Sequence, residues 1–144
     1  MPPESRPGFV TPERLEALER ALVLLIAGHS VVVGLFLTFA TDWGARFGGF
    51  PSPVPLFFPR QAGAFHFVVA GVYLVEYFRY RGVLLLVMTK SIAVVFLGLT
   101  TLLDHVPWLV PLSGLGDLLM AAAVVFLRRA RRLPLLGPAA GKPA

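Results

Sequence analysis

Long apolar blocks alternate with short polar connections along the chain. A helix crossing hydrocarbon needs roughly 20 mainly apolar residues, and four windows meet that length: about 21–40, 61–78, 82–103 and 107–127. The first is interrupted only by His29, Ser30 and Thr38. The second contains His66 and Glu76, the third Lys90 and the fourth Asp117. The expected fold is all-α and membrane-embedded, a four-transmembrane-helix up-down bundle.

Local signals refine these windows. Thr11-Pro12-Glu13 reads as a helix start, with an N-cap hydroxyl, proline in the first turn and an acidic residue beside it. The first helix is therefore expected to begin before the bilayer, with Glu13, Glu16, Glu19 and Arg20 forming an interfacial turn or two. Arg79-Tyr80-Arg81-Gly82 is so short that spans two and three must be antiparallel neighbours. Residues 1–10 and the Pro-, Gly- and Ala-rich stretch 133–144 are expected to be disordered. The first 20 residues are charged and lack an apolar core segment, so they do not read as a signal peptide.

The connection 41–60 differs from the others. Its prolines at 51, 53, 55 and 59 disfavour helix and suit an extended path. Its aromatic residues, Phe57 and Phe58 among them, belong at headgroup level. One reading makes it a lid over the outer mouth of the bundle, and the other an interfacial loop lying on lipid.

Composition agrees with the pattern. Hydrophobic residues make up 56% of the 144 and charged residues 15%, with a mean hydropathy of +0.76. A soluble domain runs about 45–50% apolar and about 25% charged, so a water-soluble globule and a disordered chain are both excluded. The net charge of +5 owes much to Arg128, Arg129, Arg131 and Arg132. Such an excess in an apolar chain reads as a topology signal, not as a nucleic-acid footprint. Arg14, Arg20, Arg79, Arg81 and the C-terminal arginines fall on one side of alternating spans, against Arg46 and Arg60 on the other. Both termini are then expected in the cytoplasm. With no Cys, disulfide, thiolate and thiol redox chemistry are absent.

The polar residues within the spans are the candidate site. An ionisable group at membrane depth costs at least about 2.5–3.5 kcal/mol, so each needs a partner or a purpose. At ~1.5 Å rise per residue, His29 and Lys90 lie about 12 Å from the cytoplasmic boundary, Asp117 about 15 Å and His66 about 18 Å. Lys90 and Asp117 sit on consecutive antiparallel helices and are expected to form an ion pair. His29 and His66 either cap that pair or line a polar pocket with it. Tyr73, on one stripe with Gly63, His66, Ala70 and Tyr77, and Ser113, on one face with Gly114 and Asp117, are secondary candidates. Arg60, Phe57 and Phe58 mark the outer mouth. Glu76 is read as interfacial, within reach of Arg79 or Arg81. No nucleophile elbow, zincin, Walker A or dinucleotide motif occurs. No metal site is expected, and the sequence requires no cofactor.

Pro59-Arg60-Gln61-Ala62-Gly63, then Ala70-Gly71-Val72-Tyr73-Leu74, Lys90 and Gly116-Asp117 resemble the small four-helix membrane proteins of the DoxX-like group. The resemblance covers about 21–127 and implies a four-helix bacterial inner-membrane bundle, often an accessory subunit or a protein of unassigned role. Three functional readings stand. The first is an accessory or small-molecule-binding bundle for a quinone or lipid. The second is a lipid- or isoprenoid-directed proton-transfer enzyme using His/Asp acid–base chemistry. The third is a proton or ion path within an oligomer. Membrane lipids, a second copy and partner membrane subunits are the expected partners.

Overall fold

The computed structural model describes residues 11–52 and 55–137. These form five helices and no strand: α1 (Pro12–Phe39), α2 (Thr41–Phe47), α3 (Phe57–Tyr80), α4 (Leu84–Leu103) and α5 (Leu109–Ala130). The four long helices fall on the four apolar windows. Thr11 caps α1 as expected, its Oγ1 accepting from the Arg14 amide at 3.4 Å, with Pro12 opening the helix.

Three of the long helices, α1, α4 and α5, are long and apolar enough to cross a membrane. That fits an integral membrane protein and accounts for three of the four expected spans. The exception is α3. Its 24 residues give it the length, about 36 Å, but Arg60, Gln61, His66, Glu76 and Arg79 dilute its apolar character.

Neighbouring long helices run antiparallel, because α1 meets α3 with Arg20 beside Phe78 and Gly34 beside Gly63. Likewise α4 meets α5 with Lys90 on Asp117 and Leu97 on Gly114. The α1/α3 contact is the most extensive and the α4/α5 contact next. Small residues set the first of these. A Cβ added at Gly63 would lie 2.8 Å from the Gly34 carbonyl oxygen, and one at Gly34 would lie 2.8 Å from the Phe67 ring. Without a hydrophobic force between helices in lipid, such close backbone approach is what holds a pair together.

The two pairs share one apolar core, formed by Val23, Ile26, Tyr73, Val83, Leu86 and Val124. It lies toward the end where α1 begins and α5 stops. On α4 no residue after Lys90 is buried, and on α5 none before Ala121. At the far end the pairs are joined instead by an aromatic strap. Phe36, Trp43 and Phe47 stack with centroids 5.4 Å apart and Phe47 meets Trp108 edge to face at 5.6 Å, carrying α2 from α1 across to the start of α5.

Two connections depart from expectation. The segment 41–60 is not extended throughout. Residues 41–47 precede the prolines and form α2, while Phe57, Phe58 and Arg60 already belong to the first turn of α3. The tail expected to be disordered is ordered at its start. The Val83 amide donates to the Leu135 carbonyl at 2.8 Å, and the Leu135 side chain packs on the core. Leucines within that Pro- and Gly-rich stretch supply the apolar surface that composition alone hid. Residues 1–10 and 138–144, the rest of the expected disorder, lie outside the described residues.

Candidate functional site

The predicted ion pair is present. Lys90 Nζ donates to Asp117 Oδ1 at 2.5 Å, with both side chains largely buried between α4 and α5. The other two candidates stand on the other long helices, His29 on α1 and His66 on α3. His66 lies half-buried on α3, and its Nδ1–H donates to the Ala62 carbonyl at 2.8 Å. That bond leaves Nε2 of a neutral ring as an acceptor. His29 is exposed on the flank of α1. The structure thus joins Lys90 to Asp117, whereas the hydrogen bond of His66 is to its own helix and His29 is exposed.

The remaining candidates are divided. Tyr73 is buried in the apolar core, and its hydroxyl has no hydrogen-bond partner. Ser113 is exposed. Phe57 and Phe58 pack edge to face at 5.5 Å and are exposed. Arg60 is exposed beside them. Among the described residues no three His, Asp or Glu side chains converge in a way that could hold a metal.

A second polar centre, at the end where α5 stops, was not foreseen as a site. Glu19 is 1% exposed and Arg128 4%. Arg128 Nε lies 3.0 Å from Glu19 Oε1, and its NH2 donates to the Arg81 carbonyl at 2.9 Å. Arg131 bridges Glu19 at 2.7 Å and Glu16 at 2.9 Å. Burial alone would lower the Arg131 pKa, but its hydrogen bond to Glu19 and the two carboxylate charges outweigh this and raise it. The guanidinium is therefore permanently charged. Sequence spacing carried the signal: Glu16 and Glu19 stand three apart on α1, as Arg128 and Arg131 do on α5, and such pairs share a helix face.

Glu76 belongs to the same end, and its partners are not the arginines expected for it. It is 7% exposed and pairs with neither Arg79 nor Arg81. Instead its carboxylate accepts from the Leu85 amide at 2.9 and 3.0 Å and from the Leu86 amide at 3.3 Å. These are free donors at the start of α4, whose own N-cap, Val83, has no side-chain acceptor.

Two cavities lie at this end. One, of about 570 Å³, is bordered by Arg20, Tyr77, Phe78, Arg81 and the Glu19–Arg128–Arg131 network. The other, of about 760 Å³, is an apolar groove along α3 and the start of α4. Neither is lined by His29, His66, Lys90 or Asp117. No protein-family model, characterised protein or solved structure matches the chain.

Proposed function

We propose that the chain is a non-catalytic binding subunit of a bacterial inner membrane, and that it holds the polar head of a quinone or lipid at the His29–His66–Lys90–Asp117 cluster. In this reading α3 crosses the bilayer as the partner of α1, completing a four-helix bundle. Its length and its antiparallel fit along α1 support that. Both termini face the cytoplasm, because Arg20, Arg81, Arg128 and Arg131 gather at the end where α1 begins and α5 stops. The resemblance to the DoxX-like group agrees with an accessory role in a membrane assembly, as a homo-oligomer or beside partner subunits.

One observation carries the reading. His29 is exposed on an apolar helix, in a bundle that also carries a buried Lys–Asp pair and an imidazole with a spare acceptor. A polar group exposed to hydrocarbon is costly unless something polar meets it. A quinone carbonyl or a lipid ester meets that need from the side, without an enclosed cavity.

Native mass spectrometry of the gently extracted full chain tests this. Wild type should retain a quinone or lipid adduct, and the double variant His29→Ala, His66→Ala should lose it while staying folded. A folded wild type without adduct, or equal retention by both proteins, overturns the proposal.

A further inference from the structure

The polar centre at the opposite end of the core points to a different ligand. The cavity of about 570 Å³ there is walled by four arginines against two glutamates. Both glutamates are already committed, Glu19 to Arg128 and Arg131, and Glu16 to Arg131. The positive charge of Arg20 and Arg81 is left over. Arg20 lies over the Phe78 ring at 5.5 Å, and neither arginine has a carboxylate within ion-pair range among the described residues. Arg128, nearly fully buried, also faces this cavity. Its Nε is buried against Glu19 and its NH2 is taken by the Arg81 carbonyl, so it contributes charge to the wall and no free donor.

Apolar surface adjoins this charge. Leu133, Pro134 and Leu136 of the returning C-terminal segment form one wall of the cavity. Leu136 also borders the second space, the groove of about 760 Å³ along Val68, Val72 and Val75 of α3. These valines recur at helical spacing and form one apolar track. An arginine-lined head site and an acyl-sized groove therefore meet at one leucine, at the level where α5 leaves its apolar stretch.

We propose that this end binds a phosphate-bearing amphiphile, an anionic membrane lipid. The phosphate sits against Arg20 and Arg81, and a chain lies in the α3 groove. Guanidinium forks match phosphate oxygens in geometry as well as charge. A free phosphate ion shares the head-group chemistry but leaves the groove empty. The proposal needs the helices to span and is independent of the ligand assigned to the histidine cluster.

The test is thermal unfolding of the full chain in a neutral detergent, titrated with phosphatidylglycerol, phosphatidylcholine or inorganic phosphate. Phosphatidylglycerol should raise Tm, with phosphatidylcholine and phosphate giving little. The double variant Arg20→Gln, Arg81→Gln leaves the Glu19 network in place. It should weaken phosphatidylglycerol by about tenfold or more, the size of one lost charge-assisted hydrogen bond. Arg20→Gln alone, at an exposed side chain, should weaken it in the same direction if the double variant fails to fold. Arg60→Gln, at the other end, should leave the effect intact. An equal response to phosphatidylcholine, an undiminished response in the Arg20 variants, or a full response to inorganic phosphate each overturns the lipid assignment.

Discussion

The two ionic centres of this protein solve the same problem with different means. At the Lys90–Asp117 centre one cation meets one anion, and neither side chain has a further hydrogen-bond partner among the described residues. At the Glu19 centre one carboxylate serves two guanidiniums, one of which also binds a backbone carbonyl and the other a second carboxylate. The second arrangement ties α1, α5 and the α3–α4 turn together. The first joins only α4 to α5. A charge with several partners on separate elements is a structural joint, whereas a pair with spare capacity beside it is where a ligand can enter.

Removing Glu19 should break the joint most severely. Glu19→Ala strands Arg128 and Arg131 with Glu16 alone, and breaking a buried ion pair costs about 3–5 kcal/mol. Folded yield and Tm in detergent measure the loss; near-wild-type values would erase the distinction between the centres. Asp117→Asn should cost less, about 1.5–3 kcal/mol, the range for a hydrogen bond to a charged group. Replacing both partners, Lys90→Met with Asp117→Leu, should then restore stability, since an apolar pair of similar volume is often neutral. A refolded double variant without its quinone or lipid adduct would separate binding from architecture. Failure of the double variant to regain stability would make the mid-bundle pair a joint as well. The smallest effect is expected for Glu76→Gln, which keeps an acceptor for the Leu85 amide but loses its charge at the α4 terminus. That interaction contributes about 0.3–1 kcal/mol, read as a modest fall in Tm.

Much of the helical layout could be read in advance, because runs of apolar residues and the Thr11-Pro12 start are local properties. The Lys90–Asp117 pair was also legible, since counting rises along two consecutive antiparallel helices places both charges at one depth. The Glu19 network was not. Its partners are more than 100 residues apart, and the arginines already had a sufficient explanation as a topology signal. Glu76 escaped for a related reason. Its partners are backbone amides, which no sequence pattern displays. In 41–60 the prolines governed the reading of the whole segment although none precedes residue 51, and α2 forms just where they are missing. Leu135 and Leu136 were obscured by the prolines and glycines around them.

The bond from Glu76 to the start of α4 bears on how the chain enters a membrane. An ionised carboxylate riding into lipid on α3 alone would add at least about 2.5 kcal/mol to insertion. Once the first turn of α4 has formed, the same carboxylate is neutralised by amides that would themselves be orphaned. The Glu76 carboxylate and the first amides of α4 thus satisfy each other at the turn between the two helices, so neither group is left bare once the turn has closed.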